Sequence, residues 1–123
     1  MANNATVMLP FSGSTQYKGI KVVATATVGT VIHTTGTSAS IIDRVYLFCF
    51  NSDTVARTLT LEFGGVTAPD QALVASIPAQ TGDVLVVDGR ALIGNGSAGL
   101  TIGAFCPTAN VLVVSGWIMR VTP

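Results

Sequence analysis

The pattern of hydrophobic and polar residues along the chain is that of short β-strands. The clearest segment is 57–63, where Leu59, Leu61 and Phe63 alternate with Thr58, Thr60 and Glu62. Because successive side chains of a strand point to opposite faces, this alternation predicts one buried face and one face in water. No window repeats apolar residues at the three-to-four-residue spacing of an amphipathic helix, so we expect almost no helix.

Turn-forming residues divide the rest of the chain into similar segments. The predicted strands are 21–26, 28–35, 41–50, 57–63, 71–77, 84–87, 99–106 and 111–121. The first two form one long strand or two, since Gly29 marks a bulge or a bend. Asp88 and Gly89 predict a turn that ends the strand 84–87. Seven or eight strands at this spacing favour an all-β fold, an antiparallel, jelly-roll-like β-sandwich.

Two of the predicted strands are apolar on both faces. Every position from Val45 to Phe50 is apolar, and the same holds for 111–114 and 117–119. An antiparallel strand with one face in water should alternate, so something covers the second face. Either loops or the N-terminal segment cover it, or it meets another subunit or a host surface, which we favour. The predicted subunit interface consists of Tyr46, Phe48, Phe50, Trp117 and Arg120.

The N-terminal segment has a different composition from the rest of the chain. It carries Pro10, the run Ser12-Gly13-Ser14 and scattered apolar side chains. We therefore predict an extended arm at 1–20, followed by the β-sandwich domain at 21–123. Its apolar patch implies contact with a neighbouring surface, of its own chain or of another. The residues expected to make that contact are Met8, Leu9, Phe11, Tyr17, Lys18 and Lys21.

Length and charge exclude several classes of function. A chain of 123 residues is one domain, since domains hold about 100–200 residues. Six basic and six acidic residues leave no excess charge for nucleic acid. No apolar run is long enough for a membrane helix, and the first residues lack a secretory signal, so we expect assembly in a cytoplasm. Val, Thr and Ile make up about a third of the chain, which suits strands.

The residues with chemical potential are few and scattered. His33 is the only histidine, and because its neighbours Thr34 and Thr35 supply only hydroxyls, we interpret it as a polar residue at a strand end or an interface. Cys49 and Cys106 lie in apolar strands, which favours buried, inert thiols over a reactive nucleophile or a disulfide.

The acidic residues are spread singly, and most lie in predicted turns. Asp43 and Arg44 interrupt an apolar strand, so we expect one of them to form an ion pair, across the sheet or across a subunit boundary. The same two alternatives apply to Arg120, near the end of the last strand. No pair of carboxylates is spaced for glycoside hydrolysis, and no metal-ligand motif is present. The sequence therefore predicts a protein that is not an enzyme and has no cofactor, metal or small-molecule substrate.

Several segments together resemble a known type of protein. They are IKVVATAT at 20–27, TVIHT at 30–34, DRVYL at 43–47, LTLEFGG at 59–65, IPA at 77–79 and ANVLVVSG at 109–116. The pattern, over residues 8–122, is similar to small virion structural proteins of tailed bacteriophages. This resemblance implies a β-sandwich that decorates or cements the capsid, often as a trimer where major capsid subunits meet. It carries over no individual functional residue.

The expected function is therefore that of a non-enzymatic capsid decoration or cement protein on the virion surface. Its partner would be the major capsid protein, and we expect a homotrimer that binds neither nucleic acid nor membrane. Burial of apolar and strand-edge surface between shell subunits would stabilise the assembled shell by mass action. The arm would act as a strap across a capsid neighbour, adding a strand to a sheet edge. Two alternatives remain: a tail or head-tail component, and a glycan-binding spike or adhesin module with an exposed aromatic platform.

Overall fold

The computed structural model describes residues 5–123, and this part of the chain forms nine β-strands and no helix. The strands are β1 (Ala5–Leu9), β2 (Ile20–Lys21), β3 (Thr30–Thr34), β4 (Ile42–Asn51), β5 (Arg57–Phe63), β6 (Ala72–Ile77), β7 (Val84–Leu92), β8 (Thr101–Phe105) and β9 (Leu112–Thr122). All described pairings are antiparallel. The predicted all-β, sandwich-like class is confirmed.

The strands form two sheets. The first sheet has the order β1-β9-β4-β7, and β2 also pairs with β9. Because β4 occupies one side of β9 along its length, β1 and β2 lie one after the other on its opposite side. The second sheet has the order β3-β8-β5-β6.

The core lies between the two sheets and is built from alternate side chains of both. In β4, Val45, Leu47 and Cys49 are fully buried, while the residues between them are partly exposed. Leu59, Leu61 and Phe63 of β5 face them, as the alternating pattern of that segment predicts. The other large side chains with almost no exposure are Phe11, Val22, Ile32, Ile77, Val87, Ile102, Leu112, Val114 and Ile118.

The segment between β1 and β2 contributes to this core. Phe11 is 1% exposed and packs in the core cluster, and the Gly13 amide donates to the Ile32 carbonyl oxygen at 2.9 Å. The structure therefore corrects the prediction that Phe11 contacts a capsid neighbour, because its side chain is enclosed by its own chain. Of the predicted arm, residues 1–4 lie outside the described part of the chain.

Two predicted strands near the start of the sandwich are shorter than expected. The segment 21–26 contributes only Lys21 to β2, and 28–35 contributes only β3. In these segments, side-chain oxygens accept hydrogen bonds from backbone amides that would otherwise pair with a neighbouring strand. The Thr30 hydroxyl accepts from the amides of Val23 and Ala24, and the Glu62 carboxylate accepts from the Gly29 amide. The chain therefore runs as an anchored loop, because such local bonds compete with ladder formation.

The predicted turn at Asp88 and Gly89 is wrong, since β7 runs through both residues to Leu92. In the β4–β7 ladder, Val45 faces Arg90 and the next residue, Tyr46, faces Asp88, so Gly89 is an extra residue. Its φ of 85° is in the left-handed region that favours glycine. Gly89 therefore forms a β-bulge inside a strand, a local conformation that the same dipeptide also adopts in turns.

Gly116 lies where β9 passes closest to β4. Its φ is 136°, and a Cβ atom at this position would collide with the carbonyl oxygen of Tyr46 on the neighbouring strand. Tyr46 and Gly116 both lie in the middle of the β4–β9 ladder, so neither backbone segment has room to move aside.

Replacement of Gly116 by alanine should therefore destabilise the protein, by about 3 kcal/mol in the free energy of unfolding, through strain and overpacking. Chemical denaturation followed by circular dichroism measures this loss. Gly36→Ala is the matched control, because a Cβ there meets no atom within 4 Å, and it should change stability by less than about 0.5 kcal/mol. Equal stability of the two variants would show that the close approach is not required.

Candidate functional site

The outer face of the first sheet is apolar across its two central strands. The β4 residues that point away from the core lie directly opposite outward-pointing residues of β9. These pairs are Ile42 with Val121, Arg44 with Met119, Tyr46 with Trp117, Phe48 with Ser115, and Phe50 with Val113. We call the half-buried set Ile42, Tyr46, Phe48, Phe50, Val113, Trp117, Met119 and Val121 the aromatic face.

The aromatic side chains of this face contact one another across the strands. The Tyr46 and Trp117 rings are stacked with centroids 5.7 Å apart, and the Phe48 ring lies 5.6 Å from that of Trp117 in a tilted arrangement. Such cross-strand aromatic pairs stabilise a sheet and fix the ring positions. The face is therefore an ordered surface.

The outer face of the second sheet is polar by comparison. Thr58 and Thr60 of β5 point outward there, opposite Ser76 and Val74 of β6. Its apolar side chains are scattered: Thr60 separates Val74, at 65% exposure, from the half-buried Phe105, and Val31, at 49% exposure, lies on the edge strand β3. The sandwich therefore has one threonine-rich outer face and one aromatic outer face, and single exposed apolar residues such as Val74 are ordinary.

The structure brings four of the five predicted interface residues together on the aromatic face: Tyr46, Phe48, Phe50 and Trp117. The fifth, Arg120, is not part of that face. Its guanidinium donates to both carboxylate oxygens of Asp43, from Nε at 2.8 Å and from a terminal nitrogen at 2.9 Å. Arg120 therefore pairs within its own chain, while its side chain stays 32% exposed, and its place at a subunit interface stays a prediction. Of the two alternatives for Asp43 and Arg120, pairing across the sheet or across a subunit boundary, the structure shows the first, and the two residues are partners of each other.

The residues predicted to form a contact arm lie in several environments. Met8 and Tyr17 are 49% and 45% exposed, and the Tyr17 hydroxyl donates to the Met8 carbonyl oxygen at 3.3 Å. Lys18 and Lys21 are exposed, while Leu9 is half-buried and packs against the core.

A groove crosses the first sheet and shares Phe48 and Trp117 with the aromatic face. It has a volume of about 470 Å³ and is lined by Met8, Tyr17, Phe48, Asp83, Ser115, Gly116 and Trp117. We call it the aromatic groove. Its residues come from both sides of β9 and from the loop before β7, so it exists only once these strands are paired.

A buried polar cluster lies at the opposite side of the first sheet. His33 of β3 is 2% exposed, and its Nε2 atom lies 2.9 Å from an Asp43 carboxylate oxygen of β4. The Ser12 amide donates to His33 Nδ1 at 3.0 Å, and the Ser12 hydroxyl accepts from the Thr34 amide at 2.8 Å. We call Ser12, His33, Asp43 and Arg120 the His33 cluster.

The hydrogen bonds of this cluster define the state of His33. An amide can only donate, so Nδ1 accepts the Ser12 bond and Nε2 carries the hydrogen that is donated to Asp43. Both ring nitrogens are occupied within the fold, and neither is left to accept a proton from a substrate. The cluster thus resembles a catalytic Ser-His-Asp set only in composition, since the backbone of Ser12 makes the bond to the ring.

Burial shifts both titratable groups of the pair. Desolvation lowers the pKa of His33 and outweighs the opposing effect of the nearby Asp43 carboxylate. For Asp43, burial by itself would raise the pKa, but hydrogen bonds from Arg120 and His33 hold it below its usual range. The folded protein therefore contains a neutral His33 beside an ionised Asp43.

A second cavity, of about 270 Å³, lies on the outer side of the second sheet above Glu62, with walls that include Gly64, Gly65, Gly99 and Gly103. Glu62 is 4% exposed. Its two carboxylate oxygens accept from the Gly29 amide at 2.6 Å and from the Thr27 hydroxyl at 2.7 Å. Glu62 therefore anchors the loop before β3.

The cysteines are free thiols, and the prediction that they are buried is confirmed. Burial raises the pKa of the Cys49 thiol to about 12, so its nucleophilic thiolate form is rare. Within residues 5–123, no group of three or more His, Cys, Asp or Glu side chains is arranged to hold a metal ion. The same residues include no helix with the length and apolar character needed to cross a membrane.

No protein-family model matches the chain, and no curated protein or solved structure is similar enough to match it.

The contact between His33 and Asp43 was missed by sequence reasoning, which considered only the hydroxyl neighbours of His33. The one signal was Asp43 itself, a carboxylate at an inward position of an apolar strand. Such a residue needs buried partners, because an unpaired charge in a core is costly. The aromatic groove gave no sequence signal, since its residues are far apart along the chain.

Stability should depend on pH through His33. Because its folded pKa is lowered, the unfolded chain binds more protons as pH falls below about 6.5, the ordinary histidine value. The free energy of unfolding should therefore be greatest above pH 7 and fall on acidification, with a slope approaching one proton per molecule. Denaturant unfolding between pH 8 and pH 5 measures this slope.

His33→Gln is the matched variant for this prediction, since the glutamine amide can donate to Asp43 and does not titrate. His33 is the only histidine, so the variant should lose the slope between pH 7 and pH 5 if it folds at pH 7.5 by circular dichroism. An unchanged slope in the folded variant would assign the pH dependence elsewhere.

The two thiols should be unreactive in the native protein. We expect almost no reaction of Cys49 or Cys106 with Ellman's reagent at pH 8, because both side chains are fully buried, and two reacting thiols per chain in guanidinium chloride. The absorbance of the released thiolate counts them. A fast first equivalent from the native protein would contradict the assigned burial.

Proposed function

We propose that this protein is a non-enzymatic decoration or cement protein of a tailed-bacteriophage capsid. The aromatic face packs against subunits of the major capsid protein, and the protein acts as a homotrimer on the virion surface. The observation that carries this proposal is the difference between the two outer faces. One carries threonines with scattered apolar side chains between them, and the other presents contiguous aromatic and aliphatic side chains on two adjacent central strands.

The distribution of charge on the first sheet supports a contact role. Lys21 and Asp88 lie on the edge strands β2 and β7, where they flank the aromatic face, and Arg44 is the charged outward-pointing residue of the central strand β4. An apolar centre with charges at the rim is the usual composition of a protein interface. Each square ångström of apolar surface removed from water contributes about 25 cal/mol. A face of this kind therefore gains free energy when a second protein covers it.

The strand order supports the jelly-roll form of the fold. With β1 and β2 counted as one edge strand, the pairings are nested: the first strand with β9, β3 with β8, β4 with β7, and β5 with β6. An eight-stranded antiparallel ribbon gives this nesting when it wraps into two facing sheets, which is the jelly-roll arrangement frequent in viral capsid domains. Fold alone does not establish function, and the aromatic face is the feature that supports a contact role.

The exposed residues near the N-terminus extend the same contact surface. Met8 lies opposite Met119 on the outer side of the sheet, and Lys21 lies opposite Val113. Tyr17 closes one side of the aromatic groove. A capsid subunit on the aromatic face would therefore also meet Met8, Tyr17 and Lys21. Binding to the assembled shell, and not to its free subunits, stabilises the shell by mass action.

Charged substitutions on the aromatic face should abolish shell binding. Phe50→Glu and Val121→Glu both place a carboxylate on this face outside the groove, and each should weaken binding at least about tenfold, since a charge would be buried without a partner. The matched control is Val74→Glu on the outer face of the second sheet. Cosedimentation with shells assembled from the major capsid protein of the same genome measures binding.

The wild-type protein and Val74→Glu should bind and raise the temperature at which shells dissociate. Thermal unfolding of each variant verifies that it is folded. If folded Phe50→Glu and Val121→Glu bind as well as the control, the aromatic face is not the contact. Light scattering on the free protein should give the mass of three chains, and a stable monomer would overturn the homotrimer. Electron microscopy of particles separates a capsid position from a tail or head-tail position.

A further inference from the structure

The aromatic groove combines an apolar floor and walls with one anionic end. Phe48 and Trp117 lie side by side in its centre, while Met8 and Tyr17 form the wall on the β1 side. The groove crosses β9 and β4 and includes Asp83, which precedes β7. Since adjacent strands are about 4.8 Å apart, its two ends are separated by roughly 10–14 Å.

Asp83 is the charged residue of the groove. Its side chain is exposed, and among residues 5–123 no ion pair involves its carboxylate. The carboxylate is therefore open to a ligand. The negative charge attracts a cation, and the aromatic side chains that line the groove offer an apolar surface to the stem of a cationic side chain.

Tyr17, which lines the groove, lies in a segment of unusual backbone conformation. Gln16 and Tyr17 both have positive φ values, 56° and 62°, which are uncommon for residues other than glycine. The Tyr17 hydroxyl is held by its bond to the Met8 carbonyl oxygen. The result is a half-exposed aromatic ring in a defined position, which limits the entropy lost when a ligand binds.

We propose that the aromatic groove binds the side chain of a lysine or arginine presented by the capsid subunit that covers the aromatic face. This inference rests on the proposed function and names the chemistry of the partner at that site. The apolar stem of the side chain lies across Trp117 and Phe48, and its cationic head reaches the Asp83 carboxylate. Lysine and arginine are the side chains with an apolar stem and a cationic end, which is the complement of this groove.

A purely apolar side chain fits the groove less well. When the partner covers the groove, an apolar side chain bound there would leave the Asp83 carboxylate partly desolvated and without a counter-charge, which is unfavourable. A sugar would stack on Trp117, but its neutral hydroxyls would not neutralise Asp83. The charge therefore favours a cation.

The test uses the free protein and probes that each carry one side chain. Trp117 is the only tryptophan, so its indole N–H signal in a ¹⁵N–¹H correlation spectrum reports on this groove alone. The probes are N-acetyl-arginine N-methylamide and N-acetyl-lysine N-methylamide. The neutral comparisons are N-acetyl-norleucine N-methylamide and methyl β-glucoside.

The arginine and lysine probes should shift the Trp117 signal along saturating curves, with affinities at least about fivefold higher than that of the norleucine probe. Asp83→Asn should remove this preference, lowering affinity for the cationic probes about fivefold. Asp88→Asn is the matched control, since Asp88 lies on the same side of the first sheet but outside the groove. It should bind as the wild type does.

Three results would overturn the proposal. Equal affinity for the norleucine probe would make the groove an apolar site without charge preference. Tighter binding of the glucoside would make it a glycan site. No saturable shift with any probe would remove the site. Shell binding by the Phe50→Glu variant tests the proposed function separately, because Phe50 lies outside the groove.

Discussion

The register between β4 and β9 is the constraint on which the rest of the structure depends. Ten residues of β4, from Ile42 to Asn51, each face a partner on β9. This register sets Asp43 opposite Arg120 inside the molecule and Tyr46 opposite Trp117 outside it. A shift by one residue would exchange the two faces of a strand. The core, the buried ion pair and the aromatic face therefore form together.

The His33 cluster joins parts of the chain that the sheets alone leave separate. His33 belongs to the second sheet and Asp43 to the first, while Ser12 belongs to the segment between β1 and β2. Every buried side-chain nitrogen and oxygen among the described residues has a hydrogen-bond partner, so the charge of Asp43 is accommodated without exposure. Neutral His33 also holds Ser12, and through it Phe11, against the core. These groups serve the fold.

The outer faces of the two sheets differ in composition. The second sheet carries threonines and scattered apolar side chains on its outer face, while the contiguous aromatic face has a cost in water that a bound partner would remove. Within the aromatic face, stacking fixes Trp117 between Tyr46 and Phe48, and the groove adds a single carboxylate. A broad apolar surface supplies affinity and a localised charge supplies register and selectivity, which is a common division in protein interfaces. The proposed cement function and the proposed basic side chain use these two properties.

The alternation of side chains, the β-branched composition and the closely spaced turn residues were enough to predict an all-β sandwich and most of its strands, because these are local properties of the chain. The apolar character of both faces of β4 and β9 was equally evident. Only the tertiary structure decided that these two strands are neighbours, so that their outer side chains merge into one face. It also decided that His33 meets Asp43 from the other sheet, that Phe11 enters the core, and that Asp88 and Gly89 form a bulge and not a turn. Each of these depends on which strands pair and in what register, and residues distant in sequence carry no local pattern that specifies their contact.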